Sequence, residues 1–329
     1  MPKTAFDDHD LRTLRRRPQN RAREHPPDTR FAMTASLRPA YAYTPQGVVH
    51  YAEAGSGAPL LLLHATPGSF RAFEALIPLL ARHFRVIAAD TPGYGNSDPV
   101  APGPLRIEAF AERMEALLDA LGLERAHVLG LHTGNKIAAA MAARRPSRVD
   151  RLVLAGHTHS LLVDKATRDA EIRHLIGHYF PRFQPGADGA HEVRQWLMAH
   201  ADVQKLWWPA ALLAGEPAAA AASVAAEVRQ AESMVIDHLL GWRSIVPTYD
   251  AVFDFDLEAA IRRIEAPTLV LELRPADEAQ LAPQAPAICA MVPGATARSL
   301  DGCDAMVFRR DPQRVVDAVL PFLTQKAAP

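Results

Sequence analysis

Between an apolar run, AHVLGL, and an alanine-rich one, KIAAAMAA, the chain reads Gly130-Leu131-His132-Thr133-Gly134-Asn135. A histidine between two glycines at such a junction is placed for chemistry, because imidazole has an unperturbed pKa of ~6.5 and exchanges a proton near neutrality. It works as a base, or less often as a nucleophile, when a carboxylate orients its far nitrogen. Two carboxylates compete for that part: Asp277 in LELRPADEAQ and Asp304 in DGCDAM. Cys303, beside Asp304, offers a thiol, so His132 and Cys303 make a second candidate pair of base and nucleophile; the plainer reading of Cys303 is a small buried hydrophobe.

His64, His157 and His159 stand at or just past the ends of other apolar runs. The spacing in GHTHS points the last two the same way on an extended segment. With a carboxylate, such imidazoles can hold zinc or iron. No H-x-x-x-H spacing supports this, and no metal is assigned. His64, His157, His159 and Cys303, with Trp207 and Trp208 in KLWWPA, are also the candidates for the lining of a substrate pocket near His132.

The elements that must position these groups follow from periodicity. Strands are expected over 47–55, 59–65, 84–90, 126–132, 149–157, 267–273 and near 295–300; PLLLLHA is continuously apolar, as a strand buried on both faces requires. Helices are expected near 70–82, 105–121, 133–145, 279–291 and 311–324; Ile107, Phe110, Met114, Leu117 and Leu118 recur at three- and four-residue intervals and stop at Gly122. This βαβα order predicts a mostly parallel sheet with helices on both faces. Residues 160–250 show helical patterns and no comparable strand, so they read as a helical insertion in a core formed by 33–159 and 251–329. Residues 1–32 are Arg-rich and nearly free of periodic apolar residues, which predicts a disordered tail or a start placed upstream of a true one at Met33.

Composition narrows the partners. Among 329 residues, 49% are apolar and the formal charge is −1, which supplies a core but no field that gathers nucleic acid or an anionic membrane. No run approaches the ~20 apolar residues of a bilayer span. Two cysteines are too few for a disulfide framework, which points to the reducing cytoplasm. G-x-G-x-x-G is absent, so no organic cofactor is expected. The expected partner is a small molecule, and association into a homodimer is left open.

Four motifs together resemble the α/β-hydrolase fold over about residues 45–325: LLLHATPGS in place of the H-G-x-P-x-S loop, VIAADTPGYGNSD in place of D-x-x-G-x-G-x-S, GLHTG in place of the G-x-S-x-G elbow, and the closing DPQRVVDAVLPFL. The resemblance implies an eight-stranded sheet, a cap formed by the insertion, an oxyanion hole from the N–H groups of Ala65 and Thr133, and a role for His64 in buttressing the oxyanion loop. Asp90 then stabilises its turn, with Ser97 and Asp98 capping the next segment. The departures are as informative. Histidine replaces the serine at the elbow, and the slot of the general-base histidine, about seven residues before Asp311-Pro312, falls on Ala305. His238 is the last histidine in the chain, so the usual serine triad is excluded.

The leading reading is an enzyme for a small, largely apolar substrate, hydrolysing an ester or lactone or abstracting a proton in a lyase- or isomerase-type step, with His132 at its centre beside the backbone hole. A non-catalytic protein that binds a ligand in the same pocket is the alternative.

Overall fold

The computed structural model describes residues 37–99, 104–157, 162–179, 187–190, 193, 218–276 and 281–325. Eight strands form one sheet: β1 (Arg38–Thr44), β2 (Gly47–Ala54), β3 (Pro59–Leu63), β4 (Arg85–Ala89), β5 (Ala126–Leu131), β6 (Val149–Ala155), β7 (Thr268–Arg274) and β8 (Thr296–Asp301). Their order is β1-β2-β4-β3-β5-β6-β7-β8. β2 is antiparallel to β1 and β4, and every other pairing is parallel.

Leu60 to Leu63 of β3 are all 0% exposed. Alternation sends Leu61 and Leu63 to one apolar layer, with Met114 and Leu117 of α2 (Ile107–Ala120) and the alanines of α3 (Thr133–Arg144). Leu60 and Leu62 enter the other layer, with Leu80 of the short α1 (Ile77–Leu80) and Val315 of the closing α9 (Pro312–Leu323). Two covered faces explain why the central strands read as unbroken apolar runs.

Between β6 and β7 the described elements are helical: α4 (Lys165–Tyr179), α5 (Ala218–Asp254) and α6 (Leu257–Ile261). α5 runs straight through residue 250, so no break in the chain marks the expected insertion boundary there. Beyond β7 come α7 (Ala285–Met291) and α8 (Val307–Arg310). Ala35–Pro329 make one compact unit, and the expected tail, 1–32, lies outside the described residues.

Three local expectations change. The helix expected at 70–82 is a 3-10 turn over Phe70–Phe73, capped by the Ser69 hydroxyl, followed by four helical residues with Pro78 in the first turn. A proline there lacks the N–H that would continue a preceding helix. The helix expected from 279 begins at Ala285, with Pro286 in its first turn. β1 was not anticipated: Tyr41 and Tyr43 are 54% and 81% exposed, so this edge strand carries little apolar-in alternation.

Candidate active site

Parallel strands present their carboxyl ends along one edge, where His64 and Ala65 follow β3, His132 follows β5 and His157 follows β6. β5 ends at Leu131, α3 begins at Thr133, and His132 alone makes the turn, with φ 48° and ψ −108°. A residue with a Cβ avoids that region, at a cost of roughly 1–3 kcal/mol, so the surrounding fold must impose it. The glycines are what let it do so. A Cβ on Gly130 would stand 2.2 Å from the Gly134 carbonyl oxygen, and one on Gly134 would stand 2.1 Å from that of Leu63. Asn135 adds a tie: its side-chain amide donates to the Ala155 carbonyl at 3.1 Å and to that of Gly156, binding the start of α3 to the end of β6.

The imidazole of His132 lies on Gly156, whose φ is +64° and whose absent Cβ would meet ring atoms at 2.9–3.2 Å. Nδ1 is shielded from solvent although the residue as a whole is half-buried. Burial pulls the ring pKa down to about 4, against a smaller opposing influence from Asp304. His157, 6% exposed, is the neighbour that sequence reasoning placed with it. Its pKa is also brought down to about 4, first by burial and then by the His132 ring, with Lys136 acting in the same sense. Both rings are neutral at pH 7.

Lys136 had not been singled out. It is 0% exposed on the first turns of α3, and its Nζ donates to the Val252 carbonyl at 2.7 Å. Burial, then the nearby Lys165, lower its pKa to about 7. This tie joins the elbow helix to the C-terminal end of α5, where carbonyls lack intrahelical partners.

His64 ties the loop after β3 to the loop after β4. It is 1% exposed, and its Nε2 accepts the Thr91 N–H at 2.9 Å, so the ring proton sits on Nδ1 and is donated to the Ala65 carbonyl at 2.8 Å. The loop it braces leads into Ala65. The N–H groups of Ala65 and Thr133 have no acceptor among the described residues. Asp90 holds its turn as expected: Oδ1 accepts from Phe70 N at 2.7 Å, and Oδ2 accepts from Asn96 N at 2.9 Å and from His50 Nδ1 at 2.8 Å.

The loop after β8 carries Asp304 and Cys303. Asp304 is exposed, and its Oδ1 accepts the Met306 N–H at 2.8 Å, so its carboxylate caps a turn. Cys303 is 8% exposed and packs in the apolar layer with Leu300 and Val307, the plainer of its two readings. Asp277, His159, Trp207 and Trp208 lie outside the described residues. Among the described residues, no group of three or more His, Cys, Asp or Glu is arranged to hold a metal ion, and no helix is long and apolar enough to cross a membrane.

Sequence reasoning also missed a polar stripe on α5. Asp237, Ser244 and Thr248 are buried and, with Gly241, recur at helical spacing. Tyr94, from the loop after β4, donates its hydroxyl to Thr248 Oγ1 at 2.8 Å. Asp237 Oδ1 accepts from Ser69 Oγ at 2.6 Å, and its carboxylate faces Arg309 at 3.4 Å and Arg71 at 3.6 Å. The signal lay in SMVIDHLLGW, where an acid interrupts an apolar helix face.

Residues 58–198 match the family model described as alpha/beta hydrolase fold. A 2-hydroxy-6-oxononadienedioate/2-hydroxy-6-oxononatrienedioate hydrolase of Dechloromonas aromatica (strain RCB) is 38% identical over 113 residues, which cover 33% of this chain and 39% of that protein. The chain thus spans about two fifths of the length of that relative. Among solved structures, a hydrolase from Pseudomonas aeruginosa PA01 is similar with a TM-score of 0.64 and 28% identity, over 88% of this chain and 99% of that one. The enol-lactonase from Burkholderia xenovorans LB400 shares the fold, with a TM-score of 0.62 at 22% identity over 87% of this chain and all of that one.

Proposed function

We propose that this chain, which has the α/β-hydrolase fold, is an enzyme that hydrolyses a small organic substrate with His132 as its working base. The observation that carries this reading is the strained elbow: a histidine is held at φ 48° where only glycine is at ease, on a turn that aims one side chain at the strand ends. Strain at such a position is kept where the arrangement is used. The relatives' hydrolase names support the reaction class.

The chemistry follows from neutral imidazole. A water gives its proton to a ring nitrogen of His132 as its oxygen bonds to the substrate carbonyl carbon. The π pair moves to the carbonyl oxygen, which becomes an oxyanion beside the N–H groups of Ala65 and Thr133. Each such donor is worth roughly 3–4 kcal/mol in enzymes of this kind. When the oxyanion collapses, the leaving group takes the proton back from the ring. A ring at a pKa of about 4 is by itself a weak base. Negative charge forming beside it raises that pKa, so proton uptake is coupled to formation of the oxyanion. The same pair could stabilise an enolate, and lyase- or isomerase-type proton abstraction belongs to this reading.

A second reading draws on the low pKa and on Ala305 in the base slot: a protein that binds its ligand without turning it over. Rates on p-nitrophenyl esters and lactones between pH 5 and 9 separate the two. His132→Ala and His132→Ser are expected to lower kcat/KM by about 100-fold or more. Equal rates above background in all three proteins would remove His132 from catalysis, and no turnover by the wild-type chain would leave the binding reading.

A further inference from the structure

A cavity of about 100 Å³ lies beside the elbow, walled by Ala65 and Gly68 of the oxyanion loop, Leu131 at the end of β5, and Ala305 where the base histidine is missing. Whole-ligand pockets start near 300 Å³, so this one takes the end of a molecule. Its far wall is charged: Asp237 of α5 and Arg309 of α8 both line it.

The charges there do not balance. Asp237, 3% exposed at its side chain, already accepts the Ser69 hydroxyl at 2.6 Å and faces two guanidinium groups. One carboxylate therefore stands against two permanent cations, and Glu74, the other acid that acts on Arg309, is solvent-exposed and screened. Arg309 is also under-used. Its side chain is 13% exposed, yet its contacts to Ser233 Oγ and Asp237 Oδ2 are both long, at 3.4 Å. A guanidinium has five N–H donors in a planar fork that fits a carboxylate in bidentate fashion. Arg71 contacts Asp237 from behind: its side chain is 25% exposed and it does not line the cavity.

We propose that Arg309 is a specificity-determining residue that receives a carboxylate at one end of the substrate, placing the reacting carbonyl between Ala65 and the elbow. Asp237, held by the Ser69 hydroxyl, orients the guanidinium and is a positioning residue. The alanine at position 305 serves this arrangement, since an imidazole there would project into the space the ligand needs. The proposal rests on the reading of this pocket as the substrate site, but it concerns binding and stands apart from the role of His132.

The test is therefore a binding measurement. Calorimetric titration compares 4-oxopentanoate with its neutral isostere 4-oxopentanamide, which is not an ester substrate. The acid is expected to bind at least about tenfold more tightly to the wild-type chain. Arg309→Gln should abolish that preference, and Arg309→Lys, which keeps the charge without the fork, should retain part of it. Arg71→Gln removes the same charge outside the cavity and should leave the preference within about twofold. His132→Ala should keep it too, so loss of turnover and loss of acid recognition are separate outcomes. Equal binding of acid and amide by the wild-type chain overturns the proposal without any variant. So does an undiminished preference in Arg309→Gln, or a loss in Arg71→Gln as large as in Arg309→Gln.

Discussion

The end of β5 and the loop after β8 both depart from the residues their fold usually carries, but in opposite ways. At β5 the side chain has changed and the backbone machinery remains: Gly130, Gly134 and the strained turn at residue 132 are in place. After β8 no imidazole stands in the expected slot, where Ala305 is a cavity wall, and Arg309, four residues on, lines the same cavity with its charge. A backbone device depends on small residues packed against other strands and cannot be altered piecemeal. A loop side chain depends on nothing but itself. The contrast teaches that the elbow is the conservative half of this site and the β8 loop the adaptable half.

The largest expected effect tests the conservative half. In Gly134→Ala the new Cβ would lie 2.1 Å from the Leu63 carbonyl oxygen and 2.6 Å from its carbon, both backbone atoms of a central strand. Neither β3 nor α3 has room to yield. A loss of roughly 3–5 kcal/mol in urea unfolding is expected, or no soluble protein at all. A stable Gly134→Ala variant with an unchanged midpoint would show that the turn is looser than its geometry implies. Ala305→Gly, in the adaptable half, should change the midpoint by less than about 1 kcal/mol.

The same contrast governs what the sequence disclosed. The sheet was legible because β3 and the later residues of β5 and β6 are covered on both faces and must be apolar. The elbow was legible because its glycines are backbone requirements. β1 was not, since Tyr41 and Tyr43 look outward from an edge. The direction of the His132 ring, over Gly156 and beside His157, was only half visible, because it depends on how β6 ends next to β5. The Ser69–Asp237–Arg309 cluster was invisible: Ser69 and Asp237 are 168 positions apart, and only the docking of α5 brings them together. Local rules reveal what a backbone needs, whereas pairings across the fold need the fold itself.

Acid should expose the two imidazoles of the β5–β6 side. His132 and His157 titrate at about 4 in the folded chain, below the ordinary ~6.5 of an unfolded one. As pH falls through that window, the unfolded chain takes up protons that the folded one refuses. Stability is therefore full above about pH 6.5, declines toward pH 4 and levels off below it, by roughly 3 kcal/mol for each ring. Urea unfolding at pH 7.5, 5.5 and 4.5 checks this, and His157→Asn should flatten the decline. Parallel curves for variant and wild type would contradict the buried, uncharged pair. On the β8 side, Asp304→Asn should have a smaller effect: it removes an influence that raises the His132 pKa and so extends the decline to slightly more acid pH.

Gly156→Ala costs less stability than Gly134→Ala and bears most directly on the elbow. The residue sits at φ +64°, and its new methyl would meet Cε1, Nδ1 and Nε2 of His132 at 2.9, 3.1 and 3.2 Å. An alanine in that backbone region costs about 1 kcal/mol through strain alone. The ring must then shift by a few tenths of an ångström, which a side chain can do and a strand cannot, so the protein should fold with a midpoint lowered by about 1–2 kcal/mol. Activity should respond more than stability does. If His132 takes a proton from water, displacing its ring should lower kcat about tenfold with KM little changed, since the substrate's carboxylate end is held elsewhere. A rise in KM at constant kcat would mean that the ring's position matters to binding and not to the chemical step.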